Sequence, residues 1–251
     1  MDWSLSKVIR IESGAVAIST NDLRALLGVY EIHDRNQTDE LVELARAARQ
    51  TSWWGRYRSD VTPQYLQYIE YEEAISVYRE YSPFVVPGLF QTKDYATSLM
   101  RRLATHDDSE EQIITRVEIR MTRQQLLQRE PSPILLAVIG EATIQHMLGE
   151  RDVADGQIAR LIELANRPNV TIELVPFGAG LRRGMFDPFI ILEFPDPEDS
   201  DILFLESDVR EFILSQDEAG EIAGYRELFE ELRSSSLGPA GTLAYLENLG
   251  R

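Results

Sequence analysis

The strongest constraint on this chain is a change in the period of its apolar residues about halfway along. In the first half they recur at three- and four-residue intervals, as a helix with one buried face requires. Leu23, Leu26 and Leu27 form one such face, and Leu41, Leu44, Ala45 and Ala48 another. In the second half Ile134 to Ile139 is an unbroken apolar run of strand length. Val170 to Pro176 then alternates, with Val170, Ile172 and Leu174 on one face and Thr171 and Glu173 on the other. Phe189 to Phe194, Ile202 to Leu205 and Glu211 to Leu214 add short strands, and helical stretches lie at Glu141 to Leu148, from about Gly156 to Ala165, and twice after Glu218. The expected fold class is α+β, with a small mixed β-sheet flanked by helices and preceded by a helical N-terminal segment.

Local signals set the remaining elements. Ser4 to Glu12 reads as a helix that Gly14 stops, and Ser19-Thr20-Asn21-Asp22 supplies the cap of the next. Thr38 to Arg49 gives a third short helix. Gln64 to Tyr81 reads as one long helix, with Tyr65, Tyr68 and Tyr71 at three-residue intervals and Tyr78 and Tyr81 likewise. Ser82-Pro83 is expected to end it, because the residue before proline is pushed out of helical geometry. Pro87-Gly88 makes a turn, Thr92 with Asp94 caps a helix through Met100, and a further helix spans about Glu110 to Gln128.

A chain of 251 residues, 43% of them hydrophobic, can bury a substantial core, and one large domain with a small helical one fits that length. The 25 basic and 42 acidic residues leave a net charge of −17, which repels nucleic acid unless cations are locally concentrated. Cysteine is absent, which removes disulfides, zinc-thiolate sites and thiol nucleophiles. No apolar run approaches membrane-spanning length, so a cytoplasmic protein without membrane contact is expected. His33, His106 and His146 are scattered, and neither a metal-ligand spacing, a nucleophile elbow nor a Walker loop occurs. No catalytic residue, metal or cofactor is assigned. Gly178 to Gly184 imitates a dinucleotide loop, but its third glycine is one position late and a strand follows where a helix N-terminus is needed.

Three groups remain as candidate ligand- or partner-binding residues. Tyr65, Tyr68, Tyr71 and Tyr78 belong to a tyrosine-rich stretch, since seven of the ten tyrosines lie between Tyr57 and Tyr95. Phenols at helical spacing serve as core, as the wall of a pocket or as an interface. Arg116 and Arg120, with Arg123 on the same face, pair with the chain's own carboxylates or receive an anion. Arg182 and Arg183 stand between glycines, either as a solvated loop or as a grip for a carboxylate or phosphate.

Three longer strings add a family resemblance. The string Ser-Pro-Phe-Val-Val-Pro-Gly-Leu-Phe-Gln-Thr-Lys-Asp-Tyr-Ala from Ser82 to Ala96 resembles the signature of the effector-like domain in WhiJ-type, antitoxin-like regulators of actinobacteria. Pro168 to Gly180 and Phe189 to Pro197 are similar to two further signatures of that domain. Trp3-Ser-Leu-Ser-Lys-Val-Ile-Arg-Ile-Glu-Ser-Gly14 resembles the recognition helix of the XRE-class helix-turn-helix domain that precedes it in those regulators. The resemblance implies residues 1–52 as a truncated helix-turn-helix remnant, its helices 3 to 5, and residues 53–251 as an effector-like ligand- or partner-binding domain. It also implies Ser4, Ser6, Lys7 and Arg10 as the DNA-contacting positions, a small partner protein encoded by an adjacent gene, and a homodimer reading paired half-sites. Leu5 and Ile9 replace residues that are commonly polar in the family, and the two helices preceding the recognition helix are not in this chain. Residues 1–60 hold eight basic against nine acidic residues, which is no basic footprint. The expectation is a transcription regulator-like protein with weak DNA binding in this form. The alternative is a regulator-derived protein that has lost DNA binding and acts as a ligand-binding protein, or as an enzyme with a tyrosine-lined pocket.

Overall fold

A computed structural model describes residues 3, 8, 11, 12, 18–32, 34–51, 53–106, 108–149, 151–195, 200–206, 211–214 and 219–249. Among them, α1 (Thr20–Val29) and α2 (Arg35–Thr51) form the helical N-terminal segment. The Ser19 hydroxyl accepts from the Asp22 N–H at 2.9 Å and so caps α1, and Leu26, Leu27 and Val42 are buried. The helix expected at Ser4 to Glu12 falls largely outside the described residues.

The rest is built on six strands: β1 (Val77–Ser82), β2 (Ile134–Gly140), β3 (Val170–Val175), β4 (Phe189–Glu193), β5 (Ile202–Glu206) and β6 (Glu211–Leu214). Their order across the sheet is β3-β2-β1-β4-β5-β6. The β1–β2 and β2–β3 pairs are parallel; the pairs beyond β1 are antiparallel. The sheet is therefore mixed, as the α+β reading requires. Connecting helices are α3 (Pro63–Glu72), α4 (Lys93–Leu103), α5 (Glu110–Arg123), α6 (Glu141–Leu148), α7 (Arg151–Ala165), α8 (Ala219–Ser234) and α9 (Gly238–Leu249).

The long helix expected from Gln64 to Tyr81 does not exist as one element. It stops at Glu72, and Val77 to Ser82 is the central strand β1, hydrogen-bonded to β2 on one side and β4 on the other. Local spacing allowed a helix here. The competing element, Val-Tyr-Arg-Glu-Tyr-Ser, is rich in strand-forming residues, and as a central strand it sends Tyr78 and Tyr81 into the apolar clusters on opposite faces of the sheet.

Both sheet faces are covered. On one, Tyr78, Leu135, Ala137, Ile139, Ile172, Leu174, Leu192 and Phe204 pack under α3, α5, α6, α7 and α9. On the other, Tyr81, Val138, Ile191 and Leu203 pack under α8 through Ile222, Leu228, Phe229 and Leu232. The polar side of β3 is consequently not open to water: Glu173 is buried beneath α8, where Arg233 and Ser236 each donate to it at 2.8 Å. Arg79 of β1 likewise pairs with Glu193 at 2.6 Å and with Glu230 of α8 at 3.2 Å. Edge strand β3 is sealed by α9, whose Thr242 hydroxyl accepts from the Leu174 N–H at 2.8 Å.

Gly140 ends β2 and opens α6, and a Cβ there would stand 2.6 Å from the Pro83 carbonyl oxygen. We expect Gly140→Ala to cost about 1–3 kcal/mol in urea unfolding, because backbone rather than a flexible side chain must yield. Gly156→Ala, in open space on α7, should instead gain up to about 1 kcal/mol.

Candidate functional site

The tyrosine group resolves into a buried polar cluster with a cation at its centre. Thr62 caps α3 by accepting from the Tyr65 N–H, Pro63 follows inside the first turn, and a Ser109–Gln112 capping box starts α5. The two helices thereby bring Glu72 and Arg123 together in the core, both buried. Arg123 Nε donates to Glu72 Oε2 at 2.8 Å and Nη2 to Oε1 at 2.7 Å, a two-pronged pair. Its Nη1 donates to the Tyr65 hydroxyl at 2.7 Å and Nη2 to the Tyr68 hydroxyl at 2.8 Å. Tyr68 donates to Glu72 at 2.8 Å, Tyr78 donates to Glu80 at 2.8 Å, and the Tyr68 and Tyr78 hydroxyl oxygens lie 3.2 Å apart. The guanidinium also sits over the Tyr68 ring, 4.9 Å from its centroid.

Burial, reinforced by Glu80 and Glu72, pushes the Tyr78 phenol well above its ordinary range. Burial does the same to Tyr68, and the nearby Arg123 opposes it only in part. For Arg123, burial pulls downward, yet Glu72 and the two phenol oxygens hold the guanidinium well above its usual value. The three tyrosines Tyr65, Tyr68 and Tyr78 are thus gathered in one place, and the space between them is filled by Arg123. Tyr71 stands apart, its ring edge against Phe194 and its hydroxyl accepting from Gln67 at 2.9 Å.

The remaining arginines serve different neighbours. Arg116 pairs with Asp108 at 2.6 Å. Arg120 donates to Gln91 Oε1 at 3.3 Å, which supplies that buried amide with its donor, while Gln91 itself donates to the Val86 carbonyl. Arg182 and Arg183 lie exposed in the loop joining β3 to β4, and Arg183 reaches Glu231 at 3.5 Å. Ser4, Ser6, Lys7 and Arg10 lie outside the described residues.

Sequence reading missed three features. Glu72 and Glu80 complete the phenol cluster, and their only signal was a carboxylate within four residues of a tyrosine. Phe84, Phe177, Leu181 and Phe186 are large apolar residues exposed at one end of the sheet. There Ser82, Gly140 and Val175 finish the parallel strands and Phe189 begins β4, opposite Tyr81. The signal was available as Phe-Gly-Ala-Gly-Leu-Arg-Arg-Gly-Met-Phe, in which apolar residues interrupt a glycine-rich, cationic loop. A third feature is an open groove of about 440 Å³ lined by Asp94, Thr97, Ser98, Arg101, Arg102 and Val153, between α4 and α7. Among the described residues no cluster of histidine and carboxylate side chains suits a metal ion, and no helix is long and apolar enough to cross a membrane.

These features define an α+β domain with a hydrogen-bonded polar cluster in its core, a buried Arg120 Nε that has no hydrogen-bond partner among the described residues, and a surface loop built of apolar and cationic residues. The model of a family described as a domain of unknown function, DUF5753, matches residues 65–248, and the chain belongs to that family. No curated protein and no solved structure matches it.

Removing one partner of the buried pair leaves the other charge without compensation, so Glu72→Leu or Arg123→Met alone should cost about 3–5 kcal/mol. The double variant should cost less than the two single losses combined, and a chemical-denaturation cycle measures the coupling. A second expectation concerns alkaline pH. The phenols of Tyr68 and Tyr78 are raised on folding, and that of Tyr81 is pushed up to about 12 by burial and then by Asp187. A raised folded-state value leaves stability intact below the ordinary phenol range and removes it as pH rises through the interval above. Ultraviolet titration should therefore show the exposed phenols ionising first, with the buried set ionising together as the chain unfolds.

Proposed function

We propose that this chain is a cytoplasmic, regulator-type protein of the WhiJ and XRE kind, whose DUF5753 domain is an effector module for a partner protein encoded by a neighbouring gene. One observation carries the reading: the segment after α2 is fastened to the family domain. The Trp53 indole N–H donates to Glu73 at 2.9 Å and the Trp54 indole N–H to Glu70 at 3.4 Å, both at the end of α3. Both indoles also pack on the core of the domain. The same helix carries Glu72 and Tyr68 of the buried cluster, so the segment after α2 and the cluster are held by one element.

The choice of a protein partner over a small ligand among the tyrosines follows from the occupancy of that cluster by Arg123. The groove between α4 and α7 favours a second reading, in which a small molecule binds against Arg101 and Thr97. In either case DNA binding by this form is weak, and pairing of two copies belongs to the regulator reading.

Co-expression with the product of each open reading frame adjoining the gene, followed by size-exclusion chromatography with light scattering, tests the reading. One product should co-elute as a stoichiometric complex; the absence of any complex overturns it. In gel-shift titrations the chain should bind DNA weakly and with strong salt dependence. Tight, sequence-specific binding would move the function from the effector domain to the N-terminal segment.

A further inference from the structure

The loop from β3 to β4 is held still while its largest apolar side chains face water. Gly184 has φ +67°, and a Cβ there would meet Leu228 Cδ2 at 2.3 Å, so the loop backbone is pressed against α8. The Tyr81 hydroxyl donates to the Met185 carbonyl at 2.8 Å, and the side chains of Met185 and Ala179 pack on the core beneath α8. At the other end of the loop the Phe177 N–H donates to Glu141 at 2.7 Å. Beyond this anchored base, Phe177 is 63% exposed, Leu181 84% and Phe186 59%, and Phe84 from the neighbouring strand end is 42% exposed. A loop fixed in shape with its anchors already presented loses little freedom on binding. Phenylalanine and arginine, which this end of the sheet presents together, are enriched at protein interfaces.

We propose that this end of the sheet docks an acidic, apolar segment of another protein. The proposal rests on the partner-binding reading above and adds the surface and its chemistry. Charge selects the occupant. The chain carries −17 overall, yet Arg182 and Arg183 sit side by side on this loop. Among the described residues the Arg182 guanidinium makes no ion pair, and that of Arg183 is a 3.5 Å contact between two well-exposed groups. Carboxylates beside apolar side chains complement both features of the loop. A second copy would bring together two bodies that each carry −17 and so repel. A nucleic acid offers phosphates without a matching apolar surface, and an anionic bilayer sets a broad negative surface against a chain of net charge −17, where a short acidic segment meets only the arginines within a screening length.

Selection of a phage-displayed random peptide library on the full chain, with the winners synthesised and measured by fluorescence anisotropy, tests this. The enriched peptides should combine large apolar residues with aspartate or glutamate, and their binding should weaken as salt rises. Leu181→Asp, and separately Arg182→Glu with Arg183→Glu, should each weaken binding at least about tenfold. Circular dichroism should remain unchanged, since these side chains are exposed. Failure to enrich any peptide, enrichment of basic or uncharged peptides, or binding indifferent to Leu181→Asp would overturn the proposal. So would a dimer dissolved by that substitution, or capture by anionic vesicles. Peptides bound at the loop without any neighbouring-gene product bound would keep this surface and remove the regulatory reading. A neighbouring product bound equally well by the Leu181→Asp variant would do the reverse.

Discussion

An arginine enclosed by protein must be given its counter-charge and its hydrogen-bond acceptors inside, and the placement of Arg123 depends on both being met. Glu72 supplies the charge through two hydrogen bonds, and Tyr65 and Tyr68 each accept one more of the five donors. Tyr68 in turn packs on Phe204 of β5, with ring centroids 4.4 Å apart, and its hydroxyl approaches that of Tyr78 on β1. Helices α3 and α5 are thereby fixed to the middle of the sheet by direction-dependent contacts. An apolar core of the same volume would hold them with less geometric definition, because dispersion contacts tolerate sliding and a two-pronged ion pair does not.

The opposite face is held differently. Arg226, Glu230 and Arg233 recur along α8 and meet Glu193, Arg79 and Glu173 of the sheet. This ladder leans on the apolar contacts of Phe229, Leu228 and Leu232 with the strands beneath. One long helix can cover that face because charges line its flank while its apolar stripe points at the sheet. The same helix presses Gly184 into place through Leu228, so the packing of α8 also fixes the exposed loop.

Core and loop therefore have opposite character. In the cluster around Arg123, polar groups are matched to one another within the chain. At the sheet end, apolar side chains and a guanidinium are presented on a braced backbone without equivalent matching. The base of the loop contributes to the core through Met185 and Ala179, while Leu181 and Phe186 beyond it remain in water.

Much of the architecture was legible in the sequence. The boundaries of α6, the strand runs of β2, β3 and β4, and the Ser19 and Thr92 caps follow from patterns spanning fewer than ten residues, where local physics decides. The family strings at Ser82 to Ala96 and Pro168 to Gly180 likewise mark segments within the matched region. Tertiary structure decided what depends on partners far along the chain. Val77 to Ser82 is a strand because β2 and β4 flank it, more than fifty and a hundred residues later. Glu173 stands on the polar face of an alternating strand and is buried only because α8 lies over it. The spacing of Tyr65, Tyr68 and Tyr78 is compatible with core, pocket wall or interface, and what places them in the core is Arg123, 45 residues beyond Tyr78. Spacing within a segment fixes which face a side chain occupies, but only the fold determines what that face meets.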